Sequence, residues 1–313
     1  MTNLDEKVYI LGHKSPDTDT ICSSLALADF YQQTGFTNYT PVRLGELNNE
    51  TKFVLKHFDL EAPELMTDGT DKKVILVDHN EKAQSIDNRE KAQILEIIDH
   101  HRISDLETAG PLYVTIAPVG CTATLIAIKY MQNGVKPSKG MAGAMLSAII
   151  SDTLNFTSPT CTQEDITIAL VLGDMAEIGD KEAIEAYGKK MLEEGASLEG
   201  FTPEQILAID RKPFTFGNTK AFVSQAFTTD APALIAQKAE LQVAMDKHLS
   251  EEGAQLSVLV ITGVNDSGST LVIAGQDVAL AQKAFSMTGD EKYLEGVLSR
   301  KTQIVPPLTD AVN

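Results

Sequence analysis

Residues 73–80 read KVILVDHN, and residues 94–101 read ILEIIDHH. Each is a continuous apolar run that stops on an aspartate, the pattern of a strand buried on both faces of a parallel sheet. Working outward, KVYILG (7–12) is a third Val/Ile-rich strand. Residues 19–35 follow as a helix, capped near Asp19 or Thr20 and closed at Gly35. Strands at 39–44 and 112–117 and helices at 50–58, 121–134, 139–150, 164–176 and 181–192 complete a βα alternation.

Beyond EEGASLEGFTP (193–203), two glycines and a proline separate this pattern from a different one. Strands at 212–217 and 220–227, a long helix over 231–250, and strands at 256–264 and 269–275 describe a smaller α+β domain. The expected fold class is α/β: an N-terminal parallel-sheet domain (1–195) with helices on both faces, a linker (196–202) and a C-terminal domain (203–313).

Composition narrows the function. With 26 Lys and Arg against 44 Asp and Glu, the net charge of −18 speaks against a nucleic-acid binder, which needs clustered cations. An anionic substrate stays compatible if bound cations invert the local field. Three cysteines without a CxxC spacing read as small buried residues of a reducing compartment. The N-terminus lacks the pattern of a signal peptide and no stretch reaches membrane-span length, so the expected location is the cytoplasm.

Four of the six histidines sit beside an aspartate where an apolar run ends: His13 with Asp17 and Asp19 in GHKSPDTD, Asp78 with His79, and Asp99 with His100 and His101. A fourth run, SAIISD, ends on Asp152. Ligands of open α/β sheets collect beyond the carboxyl ends of the strands, so these distant clusters can converge. Singly, a DxD at a helix start is a cap, and a His beside an Asp is an ordinary pair. Several runs ending in the same chemistry are not explained by capping. Imidazole with carboxylate is the ligand set of a hydrolytic metal centre. Asp17 and Asp19, two apart in an extended segment after Ser15-Pro16, would point the same way and serve two neighbouring cations. His79 reads as a group orienting a carboxylate, and His57 and His248 as surface residues.

The segments GHxxPDTDTICS, ILVDHNE, EIIDHHRI, PVGCTAT, LSAIISDT and SRKTQIVP resemble, in order and spacing, the family II inorganic pyrophosphatases of the DHH phosphoesterase superfamily. The similarity runs from His13 to about Val305. It implies a manganese- or cobalt-dependent homodimer that hydrolyses pyrophosphate to two orthophosphates, its two domains closing over a cleft. Carried onto this chain, it makes His13 and Asp17 ligands of a first metal. Asp19, His100 and Asp152 become ligands of a second, and Asp78 bridges both. His101 becomes the proton donor to the leaving group, and Lys212, Arg300 and Lys301 the phosphate clamp. Without the resemblance, SRK would read as a solvated basic patch.

Two departures, Ser15 where many relatives carry Asn and Thr302 where Lys is common, touch no ligand. The short segment 62–77 leaves no room for a nucleotide-binding regulatory insert. A pair of cations about 3.5–4 Å apart generates hydroxide from a shared water near neutral pH. Four Asp and two His, free of thiolate, suit Mn²⁺ or Co²⁺, with further Mg²⁺ arriving on the substrate. The nearest alternatives are a DHH phosphodiesterase, against which the missing glycine-rich GGGH-like element speaks, and a short-chain exopolyphosphatase.

Overall fold

The computed structural model describes residues 6–108, 110–198, 200–264 and 266–312. The chain forms two compact units, Met1–Gly195 and Ala196–Asn313.

The first unit runs β1 (Val8–Leu11), α1 (Thr18–Gln33), β2 (Tyr39–Arg43), α2 (Asn49–His57), β3 (Glu64–Leu65), β4 (Lys73–Val77), β5 (Gln93–Asp99), β6 (Tyr113–Ile116), α3 (Thr122–Gln132), α4 (Lys139–Asp152), α5 (Gln163–Met175) and α6 (Lys181–Gly195). Its six strands are all parallel, in the order β3-β2-β1-β4-β5-β6. Chain order reverses between β1 and β4, the position where such sheets bind ligands. Alternation along the strands divides the core. Val8, Ile10, Ile75, Val77 and Ile98 pack with the α-helices on one face. Leu11, Val42, Val74, Leu76 and Ile97 face the other way, onto Ile86, Leu106 and Leu112. That second face is covered by loops and the 3₁₀ turns Lys82–Gln84 and Arg89–Lys91. Helix α1 is buried on nearly every side, Ile21, Leu27 and Phe30 by apolar packing and Asp19, Thr20, Ser23 and Ser24 with hydrogen bonds made inside.

Asp17 caps α1, its Oδ1 accepting from Thr20 N at 2.9 Å, so the cap is neither Asp19 nor Thr20. Asp19 lies in the first helical turn. The extended Asp17–Asp19 pair expected from the sequence is therefore a cap followed by a helical residue, and the two carboxylates leave in different directions. The chain bends at Lys14 and Ser15 and is extended at the capping Asp17.

The second unit contains α7 (Pro203–Ala208), β7 (Arg211–Phe216), β8 (Thr219–Thr228), α8 (Ala231–Ala236), α9 (Lys238–Glu252), β9 (Leu256–Gly263), β10 (Gly268–Gly275), α10 (Val278–Phe285), β11 (Glu291–Glu295), a π-helical turn (Arg300–Ile304) and α11 (Val305–Asp310). Its sheet has the order β11-β10-β9-β8-β7, with only β8 and β9 parallel. Val258 and Val260 of β9 face α10 and α11, while Leu259 and Ile261 face α7, α8 and α9. The stretch expected as a linker is part of this unit, since Leu198 and Phe201 pack onto the α7–α9 core. The single helix expected over 231–250 breaks at Gln237, which caps both pieces.

Candidate metal centre

Strand β1 delivers His13, β4 delivers Asp78 and β5 delivers His100, all at carboxyl ends of the parallel sheet. Helix α1 adds Asp17 and Asp19 from its start, and α4 adds Asp152 as its last residue. These six side chains form two overlapping donor groups, His13–Asp17–Asp78 and Asp19–Asp78–His100–Asp152; a third consists of Asp78, His100 and His101. In each group the donor atoms lie within 4.8 Å of one another.

Asp78 belongs to all three and divides its oxygens between them. Its Oδ2 lies 3.5 Å from His13 Nε2, and its Oδ1 lies 3.4 Å from His100 Nε2 and 3.7 Å from His101 Nδ1. Thr20 Oγ1 donates to Oδ2 at 2.7 Å and Thr122 Oγ1 to Oδ1 at 3.3 Å, which fixes the plane of the carboxylate. The Asp78 backbone is left-handed, with φ of 59°, and its N–H donates to Ile98 O at 3.0 Å. Aspartate tolerates that conformation better than most residues, at a cost of about 1–3 kcal/mol.

The remaining donors are held from behind. Asp19 accepts from Ser23 Oγ (2.7 Å) and from Thr122 N and Ala123 N at the start of α3 (2.7 and 3.1 Å). Backbone N–H groups of a helix N-terminus suit an anion. His100 Nδ1 donates to Val119 O at 3.1 Å, leaving Nε2 facing Asp78 and Asp152 at 3.4 and 3.6 Å. His13 Nε2 meets Asp17 Oδ2 at 3.1 Å. A ligating imidazole whose other nitrogen is occupied by a carbonyl is a recurrent feature of metal sites.

Charge balance tests whether divalent cations fit here. Burial, then the neighbouring Asp78, pushes the Asp19 carboxyl up to about 7. Burial and Asp19 push Asp152 well above the carboxylate range. Burial disfavours a charged imidazole, yet surrounding carboxylates outweigh it, raising His100 to about 9 and His13 well above its ordinary value. Asp78 goes the opposite way: burial opposes its charge, but hydrogen bonds from His100 and His13 hold it well below the usual range. Among the described residues no lysine or arginine pairs with Asp17, Asp19, Asp78 or Asp152, and the raised pKa of His13 and His100 reflects that unbalanced negative charge. Asp152 also ends a helix with no basic residue in its last turn, against the helix dipole. Hard, nitrogen-tolerant divalent cations fit this donor set.

His79 has a different place from the one expected. It is buried, with Nδ1 2.9 Å from Val77 O and Nε2 3.0 Å from Ser85 Oγ, and touches no carboxylate; burial drives its pKa down to about 4. The residue that orients a catalytic candidate is Asp99. It accepts from His101 Nδ1 at 2.9 Å, from His101 N at 3.0 Å and from Asn80 Nδ2 at 2.6 Å. Burial is outweighed by these bonds, which hold Asp99 below the usual range, so it accepts and His101 Nδ1 donates. His101 is half exposed and its Nε2 has no partner among the described residues. Asn80 and Thr122 were missed as individual residues, although they stand inside VDHNE and PVGCTAT.

In the second unit Lys212 lies on β7 and Lys301 in the π-helical turn; both are exposed and form no ion pair among the described residues. Arg300 is buried, its Nη1 bonded to Asp210 O and 2.8 Å from Asp210 Oδ2. That pair ties the turn carrying Lys301 to the start of the strand carrying Lys212. His57 is exposed as expected, but His248 is partly buried against Phe222, with a buried Nε2 that has no partner.

Fold and site together define an α/β protein with overlapping Asp/His groups that could hold metal ions at the switch point of a parallel sheet. Family models agree: residues 7–149 match the DHH family, N-terminal domain, and residues 189–311 match the DHHA2 domain. The manganese-dependent inorganic pyrophosphatase of Bacillus subtilis (strain 168) is 45% identical over 311 residues, covering 98% of this chain and 99% of that protein. The "Probable manganese-dependent inorganic pyrophosphatase" of Bacillus licheniformis is 46% identical with the same coverage. A crystal structure from Methanococcus jannaschii, assigned to family II inorganic pyrophosphatase, superposes with a TM-score of 0.82 at 38% identity, covering 98% of this chain and 99% of that one. The chain belongs to the family II, manganese-dependent inorganic pyrophosphatases of the DHH superfamily.

Proposed function

We propose that this chain hydrolyses inorganic pyrophosphate to two orthophosphates, using two manganese or cobalt ions per subunit. The observation that carries the reading is the division of Asp78, one oxygen toward His13 and the other toward His100. His13 and Asp17 would hold the first cation, Asp19, His100 and Asp152 the second, and Asp78, which belongs to both donor groups, would contribute to each. When bound, such a pair acidifies water and offsets the charge of phosphate oxygens.

The chain's own residues supply positioning and proton transfer. Thr20 and Thr122 keep the Asp78 carboxylate in one orientation. Asp99 keeps the proton on His101 Nδ1, so Nε2 is the atom that exchanges a proton with the leaving phosphate. Among the described residues Lys212 and Lys301 form no ion pair, and Arg300 uses Nη1 to anchor the turn, with no hydrogen bond from Nη2 or Nε. An arginine fork and mobile lysines suit phosphate in different ways, the first by geometry and the second as point charges. Additional Mg²⁺ would arrive on the pyrophosphate.

Two finer readings have support of their own. The edge strand β6 exposes Tyr113 and Val114, an open sheet edge of the kind that pairs with another chain, and supports a homodimer. Free Cys22, Cys121 and Cys161 fit a reducing cytoplasm. No helix among the described residues is long and apolar enough to cross a membrane.

The test is phosphate release by chelator-stripped protein with Mn²⁺, Co²⁺, Mg²⁺ and Zn²⁺ restored separately. Manganese and cobalt are expected to restore pyrophosphate turnover. Faster release from tripolyphosphate would favour an exopolyphosphatase, and faster cleavage of dinucleotides a DHH phosphodiesterase.

A further inference from the structure

Glu50 is a partly buried carboxylate that the proposed chemistry does not use. It lies in the first turn of α2, where an acidic side chain facing the helix N-terminus is ordinary. Its side-chain partners, however, come from other helices. Glu50 Oε1 accepts from Thr18 Oγ1 at 2.5 Å and from Ser151 Oγ at 2.5 Å. Thr18 stands between Asp17 and Asp19, and Ser151 directly precedes Asp152. One oxygen thus joins the start of α1 to the end of α4, the two helices whose carboxylates must meet beside His100.

The dependence is unequal. Asp17 is fixed by Thr20 N and His13, and Asp19 by three further donors. Among the described residues no backbone N–H or Ser/Thr hydroxyl donates to Asp152; its side-chain partners are the Asp19 carboxyl, with which it shares a hydrogen bond, and His100 Nε2 at 3.6 Å, so its place rests largely on the last turn of α4. The charges of Asp19 and Asp78 disfavour an ionised Asp152 there. Glu50 is itself held: Thr18 Oγ1 lies 3.2 Å from Thr51 Oγ1 on α2, and Gly195 of α6 leaves room where a Cβ would come within 2.6 Å of Glu50 Cβ.

We infer that Glu50 is a positioning residue: by holding Thr18 and Ser151 on one oxygen it sets the separation of Asp19 and Asp152. It thereby sets the affinity for the cation of the Asp19–Asp78–His100–Asp152 group. The inference rests on the proposed two-cation centre but not on the identity of the substrate.

Mn²⁺ titration of the chelator-stripped full chain, with free Mn²⁺ read by its EPR signal, tests it without any turnover assay. In Glu50→Ala one of two binding events is expected to weaken about 10- to 100-fold, the scale of losing an outer-sphere support, and the other by less than about threefold. Glu50→Gln keeps an acceptor oxygen in place and is expected to recover affinity to within about threefold of the parent. The melting temperature of each stripped variant separates positioning from folding. Unchanged affinities in Glu50→Ala overturn the inference, as do equal losses at both events with a lowered melting temperature. A Glu50→Gln variant as weak as Glu50→Ala overturns it too, because charge rather than tethering would then be responsible. Fewer than two events in the parent chain overturn the two-cation centre itself, and the inference with it.

Discussion

The two units present their chemistry in opposite ways. In the first, most candidate ligands are held by hydrogen bonds, and Asp19, Asp78 and Asp99 are fully or almost fully buried. In the second, Lys212 and Lys301 stand in solvent without partners, and only Arg300 is buried. Their histidines contrast similarly: both ring nitrogens of His79 are engaged, while His248 leaves one buried nitrogen unpaired. A cation site needs fixed donors before the ion arrives, so rigidity is stored in the first unit. Exposed cations without ion pairs among the described residues suit the phosphate-binding role proposed for the second.

The sharpest way to break this contrast is at Asp78. Asp78→Asn is expected to lower metal-activated phosphate release by at least about 10²-fold, the scale of removing one preorganised electrostatic contact. The fold should persist, as read by circular dichroism, with less Mn²⁺ bound at equilibrium. Full activity would show that no cation depends on the shared carboxylate.

Lys301→Ala should act on the other side of the contrast. A loss in kcat/KM of about 10-fold, equivalent to about 1.4 kcal/mol of transition-state stabilisation, is expected with the bound Mn²⁺ unchanged. Loss of metal from this variant would deny the division of labour between units. Lys212→Ala should behave in the same direction.

Metal removal gives a smaller and more general effect. A ligand at about 100 times its Kd stabilises the folded state by about 2.7 kcal/mol, so restoring Mn²⁺ to stripped protein should raise the melting temperature by several degrees. Asp78→Asn should flatten that response and Lys301→Ala should preserve it, which calorimetry can read. The smallest effect is expected at His248→Phe. Removing a buried nitrogen that bonds to nothing should leave stability within about 1 kcal/mol of the parent or slightly above it, by denaturant titration.

How far the sequence could be read follows the same division. Asp78, Asp99 and His100 were legible because a parallel strand advertises its end: the apolar run stops and the chemistry begins. His13 came with β1 for the same reason. Asp17 and Asp19 were legible as candidates but not in their geometry, since a single DxD can be a cap, a ligand pair or both, and here Asp17 is both cap and donor. Glu50 and Thr122 owe contacts to residues about a hundred positions away, and no local pattern announces such a partner. In the second unit the break at Gln237 escaped notice because no glycine or proline marks it. Helix α11 was hidden by Pro306 and Pro307, which read as breakers although a first turn accepts proline. Strand β11 is an exposed edge with little apolar alternation to reveal it. The roles of Lys212, Arg300 and Lys301 rest on family resemblance, because nothing in a surface lysine distinguishes a clamp from a solvated charge.

Helix α4 ends by carrying a carboxylate toward other carboxylates, with its own carbonyl pole pointing the same way. Such an end is most prone to fray when the supply of divalent ions falls. A cell short of manganese would then lose not only catalytic rate but the enzyme itself, because proteases act on the population that has opened. Abundance of this chain would follow the manganese supply.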